Sequence, residues 1–491
     1  MKPIVWTIAG SDSSNGAGLS ADLQVFTQLG LHGCAVTTAV TAQNPQSISA
    51  VHCMPPEMVA AQLNALETAM PCKVIKIGML GSVANMHIVQ RFLERFKGEV
   101  VWDPVMSSTT GHSLMIDDHA QYIKYLTKML PLVTLFTPNK NEVEILLNRR
   151  IHSNDDIEQA ARDFLKLGAN SVCIKGGHFS AATMCHDFWT DGKTAFWLSA
   201  PRYPEKNYRG TGCTFAAASA AALALNYRLE DALVIAKMYV TRGIRLAQHP
   251  CHYSALLHHA GLPHEGIDLP YVAAKPILDK PKPFTRCAAP GLYPIVDSVE
   301  WVERLCAWGI STLQLRVKQP SDLHQVIEKS IRIAARHHAR LYINDHWELA
   351  LQYGAYGVHL GQEDLLTLDV ERLRMSGLRL GISTHSHVEV ARAHALYPSY
   401  LACGPVYATT SKIMPFAPQG IQQLSYWRNM LANYPWVAIG GINEKNIASV
   451  LATDVQGVAM ISAITHANHS EQQVKQLLKM VQSSCFLAMT N

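Results

Sequence analysis

The chain is 491 residues long, enough for two barrel-sized domains and too long for one small one. With 48% hydrophobic and 16% charged residues it holds the apolar material of large cores and lacks the charge of a disordered protein. Lysine and arginine number 42 against 38 acidic residues, without a basic stripe or an aromatic-basic motif, which argues against a nucleic-acid partner.

Eleven scattered cysteines with no CxxC pairing fit a reducing compartment better than a disulfide framework. The first residues show no apolar stretch long enough for a signal or a membrane span. A cytoplasmic protein acting on small molecules is expected, with no membrane partner; a homo-oligomer is compatible with this reading.

In chain order, apolar runs at Ile4–Ala9, Ala35–Val40, Val74–Ile77, Val100–Trp102, Val172–Ile174 and Phe196–Leu198 predict strands. Their alternation with helix-compatible stretches predicts an α/β fold with a doubly wound sheet, whose ligands lie beyond the strand carboxyl ends. Gly10-Ser11-Asp12, Gln43-Asn44, Gly78-Met79, Asp103-Pro104 and Lys175-Gly176-Gly177 all fall there.

Arg209-Gly-Thr-Gly-Cys-Thr then enters an alanine-rich stretch, Cys213 to Leu225, which predicts a buried helix. Glycines such as Gly210 and Gly212 at a helix entry let backbone N–H groups close around an anion. A helix N-terminus lowers a thiol's pKa, making Cys213 a candidate base for a substrate hydroxyl, although a small apolar cysteine would also suit the start of a buried helix. No GxxxxGK[ST] motif occurs. Another phosphate grip is needed: Lys175 can reach phosphates, and Asp103 and Glu142 can hold Mg²⁺ through water.

Prolines and histidines crowd together between residues 248 and 291, which predicts a connector over 265–289 between domains at 1–264 and 290–491. Beyond it, apolar runs recur at Leu292–Val296, Thr312–Val317, Leu341–Ile343, Gly357–Leu360, Leu378–Ile382, Tyr400–Cys403, Trp436–Ile439 and Gly457–Ile461, with helix-compatible stretches such as Asp322–His338 between them. Eight such strands predict a (β/α)₈ TIM barrel, with its chemistry at the carboxyl-end mouth. Asp345 and Asp364 follow two successive strands, and two carboxylates side by side suit Mg²⁺ carrying a diphosphate. Arg316, Lys318 and Lys412 supply cations for a polyanion, though surface ion pairs would leave the same pattern. Gly440-Gly441 and Ser462 fall where such barrels bind a phosphate.

Seven motifs in order, Thr7–Leu23, Thr41–Asn44, Lys76–Leu80, Asp103–Met106, Thr137–Glu142, Lys175–His178 and Gly210–Thr214, resemble hydroxymethylpyrimidine/phosphomethylpyrimidine kinase, of the ribokinase-like fold. The resemblance implies ATP-dependent phosphorylation of 4-amino-5-hydroxymethyl-2-methylpyrimidine to its mono- and diphosphate. It assigns Asp22, Gln43 and Met79 to the pyrimidine, Lys175 to phosphate, and Cys213 to the base; Asp103, Glu142, Gly210 and Gly212 keep the Mg²⁺ and ATP roles read from their own chemistry. Two positions depart from the family: Asn15 replaces a glycine and tolerates a left-handed backbone, and Arg209 replaces a histidine and is expected to add positive charge beside the phosphates.

Gln314–Lys318, Ile343–Asp345, Gly357–Gln362 with Asp364, Leu380–Thr384, Gly404–Lys412, Ala438–Ile442 and Gly457–Ile464 resemble thiamine-phosphate synthase, which joins the pyrimidine diphosphate to thiazole phosphate. By that resemblance Asp345 and Asp364 hold Mg²⁺. Gln314, Arg316, Lys318, Asn344, Ser383 and Lys412 hold the pyrimidine diphosphate, and Thr409, Ser411, Gly441, Ile461 and Ser462 the thiazole phosphate. Val317 stands where glutamate is usual, and strand alternation is expected to turn it away from Arg316 and Lys318. Ser411 stands for threonine and keeps a hydroxyl. One resemblance makes the substrate of the other, so a bifunctional enzyme of thiamine biosynthesis is expected. The rival reading is a pyridoxal-type kinase joined to a ligand-sensing barrel that has lost catalysis.

Overall fold

The computed structural model describes residues 1–106, 119–176, 183–203, 208–251, 254–318, 322–409 and 417–488. The chain forms two compact units, one of Met1–Pro263 with Ile267–Lys280 and a second of His264–Gly266 with Pro281–Asn491.

The first unit is built on nine strands in chain order: β1 (Ile4–Asp12), β2 (His32–Gln43), β3 (Ile48–Cys53), β4 (Val74–Ile77), β5 (Glu99–Trp102), β6 (Leu135–Phe136), β7 (Val172–Lys175), β8 (Met184–Thr190) and β9 (Ala195–Pro201). Three short strands, β10 (Tyr208–Arg209), β11 (Gln248–Cys251) and β12 (Ser254–Leu256), form a small separate sheet. β13 (Tyr271–Ala273) completes the large sheet, whose order is β13-β9-β8-β7-β6-β5-β4-β1-β2-β3.

β7 through β2 in that order run parallel, with antiparallel strands at either edge. Parallel strands covered on both faces read as continuous apolar runs, and Val5, Trp6 and Ile8 of β1 are at most 1% exposed. The chain leaves β1 toward β2 on one side and returns through β4 on the other, so a crevice opens beyond their carboxyl ends. The helix Thr211–Ala224 packs beneath it, with every side chain from Cys213 to Leu223 buried. Alanine both favours the helix and lets it approach the sheet closely.

β13 lies inside the segment expected to be a connector. It pairs antiparallel with β9, Val272 opposite Leu198. Its β-prone run, Tyr-Val-Ala, is flanked by prolines, and edge strands tolerate such flanks.

The second unit closes eight parallel strands into a barrel: β14 (Gly291–Val296), β15 (Thr312–Leu315), β16 (Arg340–Asn344), β17 (Gly357–Leu360), β18 (Arg379–Thr384), β19 (Tyr400–Cys403), β20 (Trp436–Ile439) and β21 (Gly457–Met460). All eight expected strands are present, within about two residues at their ends. The helix between β15 and β16 spans Leu323–Arg336, with Asp322 accepting from the Gln325 amide at its start. Inside the barrel the rings of Tyr293, Tyr342 and Tyr400 meet edge-on or tilted at 5.3–6.1 Å. Gly381 makes room for them, since a Cβ there would stand 2.0 Å from the Tyr400 ring. No described helix is long and apolar enough to cross a membrane.

Candidate active sites

In the first unit a cavity of about 310 Å³ opens at the crevice. Its walls come from the ends of β1 (Gly10, Asp12), β2 (Gln43), β4 (Met79), β5 (Asp103) and β7 (Lys175), from Glu142, and from Gly210, Gly212 and Cys213. These include every residue assigned from the sequence to this site except Asp22. Met79 is an apolar wall packed with Ala39 and Val105, and Gln43 Oε1 accepts from Thr41.

Gly210 caps the helix Thr211–Ala224 with φ 75°. A Cβ there would come within 2.2 Å of Gly16 O, so only glycine permits this approach of the two loops. Arg209 beside it does not line the cavity. It is 4% exposed and reaches back to Asp12 Oδ2 at 3.1 Å and Ser14 Oγ at 2.8 Å. The positive charge expected beside the phosphates is thus engaged by Asp12, and its effect is to tie two loops together. Asn15, in the first of them, takes φ 62° as expected.

Lys175 Nζ lies 2.5 Å from Asp103 Oδ1. Burial works against its charge, but Asp103 and then Glu142 outweigh it and hold the ammonium above its ordinary pKa. Glu142 and Asn139 form a capping box for the helix Lys140–Leu146. Burial pushes the Glu142 carboxyl up to about 8, against the pull of Lys175.

Asp22 sits elsewhere than expected: it is fully buried and pairs with Lys76 Nζ at 2.8 Å, while accepting from Thr7 Oγ1 at 2.6 Å. Lys76 does line the cavity, although the resemblance that spans Lys76–Leu80 gives it no role. A lysine in the middle of an apolar strand is the signal that marks it. Burial disfavours its charge, yet Asp22, Cys213 and Asp103 together keep it protonated.

The lowered thiol expected at Cys213 is not found. Burial raises it to about 11, with Lys76 opposing the rise. The helix N-terminus is there, but desolvation of the buried thiolate is the larger effect.

In the second unit, Gln314 lies on β15, and Arg316 and Lys318 follow it. The strand stops at Leu315, so Val317 is already in the loop and strand alternation does not orient it. Asn344 ends β16 and Ser383 lies near the end of β18. Asp345 takes φ 63°, rare for aspartate, with its N–H donating to His359 O. Asp364 Oδ2 accepts from the Gly361 amide at 2.8 Å. Burial, then the charge of Asp364, raises the Asp345 carboxyl, the signature of two acids crowded together. Among the described residues no cluster of three or more metal-binding side chains exists. Two crowded carboxylates fit magnesium, which takes its remaining ligands from phosphate and water.

Gly441 takes φ 64° and its carbonyl accepts from Asn446. Ile461 precedes the four-residue helix Ser462–Thr465, and Thr409 ends a described stretch. Ser411 and Lys412 lie outside the described residues. His359, unassigned from the sequence, is buried below the mouth, where burial and Arg316 push its imidazole down to about 4.

A family model for phosphomethylpyrimidine kinase matches residues 12–258, and one for thiamine monophosphate synthase matches residues 292–464. The thiamine-phosphate synthase of Proteus mirabilis (strain HI4320) is 50% identical over 194 residues, 39% of this chain and 90% of that protein. Among solved structures, the pyridoxal kinase from Staphylococcus aureus in complex with ADP aligns with a TM-score of 0.50 at 29% identity, covering 56% of this chain and 98% of that one. The phosphomethylpyrimidine kinase from Clostridium difficile 630 aligns at 33% identity with a TM-score of 0.44, over 50% of this chain and 100% of that one.

Proposed function

The chain belongs to the phosphomethylpyrimidine kinase family through its first unit and to the thiamine-phosphate synthase family through its second; it is a bifunctional transferase of thiamine biosynthesis, and we propose the following roles for its residues. In the first unit Gln43 and Met79 hold the aminopyrimidine, one by its edge and the other by its face. Cys213 takes the hydroxymethyl proton as the alcohol oxygen bonds to the γ-phosphorus of ATP and the bond to ADP breaks. Lys76 eases the cost of the thiolate, and Asp22 keeps Lys76 charged and in place. Lys175 leaves Asp103 for the phosphate oxygens, which the N–H groups at Gly210 and Gly212 also meet. Asp103 and Glu142 face the cation that accompanies the nucleotide. A second turnover on the monophosphate gives the diphosphate.

In the second unit Gln314, Asn344 and Ser383 hold the pyrimidine diphosphate, and Arg316, Lys318 and Lys412 meet its charge. Asp345 and Asp364 would hold magnesium, which when bound would neutralise charge on the departing diphosphate. The carbon–oxygen bond breaks with its electron pair on diphosphate, and the thiazole nitrogen bonds to the methylene carbon. Thr409, Ser411, Gly441, Ile461 and Ser462 orient the thiazole phosphate.

The observation that carries this reading is that one cavity gathers Gln43 and Met79 with Asp103, Lys175, Gly210, Gly212 and Cys213. The rival of a pyridoxal-type kinase with a sensing barrel is not favoured, because the matching family model is that of phosphomethylpyrimidine kinase. Product analysis of the pure protein with pyrimidine alcohol, Mg-ATP and thiazole phosphate tests it, with thiamine phosphate expected. Turnover of pyridoxal without turnover of the pyrimidine alcohol would return the first unit to its rival, and accumulation of pyrimidine diphosphate alone would do so for the barrel.

A further inference from the structure

Gln314 on β15 and Ser383 on β18 are separated by two intervening strands of the barrel, yet they are the two ends of one chain of hydrogen bonds through its interior. Gln314 Nε2 donates to the Tyr293 hydroxyl at 3.1 Å. The hydroxyls of Tyr293 and Tyr400 are 2.9 Å apart. Tyr400 OH lies 2.7 Å from His359 Nδ1, and His359 Nε2 lies 2.9 Å from Ser383 Oγ. The three linking side chains are at most 7% exposed.

Each link in this chain has one proton to give. A phenol carries one, and a neutral imidazole carries one on either nitrogen. With Gln314 donating to Tyr293, the arrangement that gives every proton of the chain a partner sends the Tyr293 proton to Tyr400 and that of Tyr400 to His359 Nδ1. The imidazole proton is then on Nε2 and is given to Ser383. The Ser383 hydroxyl, having accepted from the chain, has its own proton left for the mouth. At the other end the Gln314 amide has spent an N–H on the chain and keeps its carbonyl oxygen. Reversing the Tyr293–Tyr400 link would strand the Tyr293 proton and set the Tyr400 oxygen against the His359 Nδ1 lone pair unless the imidazole tautomer and the Ser383 bond reversed with it, so the buried links favour one direction together.

We propose that Tyr293, Tyr400 and His359 are positioning residues that fix the hydrogen-bond polarity of the pyrimidine site, so that Ser383 presents a donor and Gln314 an acceptor. That pattern fits an aminopyrimidine, whose ring nitrogen accepts and whose exocyclic amine donates. It also makes each end's preference depend on the other through the protein. The proposal rests on Gln314 and Ser383 contacting the pyrimidine diphosphate.

The test uses the full-length chain and steady-state condensation kinetics with each substrate varied. Tyr400→Phe keeps the ring and breaks the chain at its centre; Tyr293→Phe breaks it one link away and serves if the first variant is unstable. Each is expected to raise the KM for pyrimidine diphosphate about tenfold, the usual scale for one misdirected hydrogen bond, with the KM for thiazole phosphate unchanged. A double-mutant cycle of Gln314→Ala and Ser383→Ala is expected to show non-additivity in the wild-type background and additivity in the phenylalanine variants. Coupling that arose only because both ends touch one ligand would persist in those variants, and its persistence would overturn the proposal, as would a parallel rise in both KM values. If Gln314→Ala and Ser383→Ala each leave the KM for pyrimidine diphosphate at the wild-type value, it is the assignment of the two ends that fails.

Discussion

Lys76 and Asp22 form a 2.8 Å ion pair with neither side chain open to solvent. Removing one member of such a pair leaves an uncompensated buried charge and costs about 3–5 kcal/mol. Asp22→Asn and Lys76→Met should therefore each destabilise the first unit on that scale, while Asp22→Asn combined with Lys76→Met should cost much less than their sum. Denaturant unfolding of the three variants checks this; additive losses would mean that the two groups do not depend on each other.

Cys213→Ala should abolish most phosphorylation of the pyrimidine alcohol and leave condensation of supplied pyrimidine diphosphate intact. Since the thiol lies high, at about 11, the thiolate fraction grows with pH across the neutral range. Kinase kcat/KM should rise with pH in the wild type, and that slope should be absent from the residual activity of the variant. Phosphorylation by Cys213→Ala at the wild-type rate would end the assignment of the base.

Glu142 offers a test by pH alone. Its folded pKa, about 8, is above that of an unfolded glutamate, so the folded state holds the extra proton between the two values and stability falls as pH rises through that window. Glu142→Gln keeps a residue that serves the capping box and removes the titration. Measured without magnesium or nucleotide, the Tm of Glu142→Gln should gain on the wild type from about pH 5 to about pH 8. A difference independent of pH would show that the carboxyl is already ionised throughout.

Asp345→Asn and Asp364→Asn should each slow condensation by orders of magnitude and shift its magnesium requirement upward, with kinase activity unchanged. If both hold one ion, the two substitutions should be far from additive. Titrating Mg²⁺ against condensation for both single variants and the double variant decides it: unchanged magnesium curves would mean that the aspartates serve only as ion-pair partners.

Elements with a local signal are legible in the amino-acid sequence, and those that depend on remote partners are not. The barrel strands are short parallel runs buried on both faces, so Gly357–Leu360 and Tyr400–Cys403 have the same ends in the sequence pattern and in the fold. Met184–Thr190 escapes the pattern because His186 and Asp187 interrupt its apolar run; His186 is met by Ser199 on the neighbouring strand and Asp187 by Lys237, 50 residues away. β6 has only two residues, too few for any periodicity. In the kinase cavity the residue types are legible from motifs, but the pairing of Asp22 with Lys76, the enclosure of Cys213 and the capture of Arg209 by Asp12 depend on packing between remote segments. No short window of sequence contains that information.

The contact between Asp12 and Arg209 spans 197 residues. On a ribosome, β1 emerges early, whereas the arginine that neutralises its terminal carboxylate arrives only after nearly the whole sheet has been synthesised. Until then the Asp12 carboxylate has only the partners within its own loop, Ser14 and Gly16. A chain ended before residue 208 would therefore carry nine of the ten strands of the large sheet and none of the Gly210, Gly212 and Cys213 wall of the cavity.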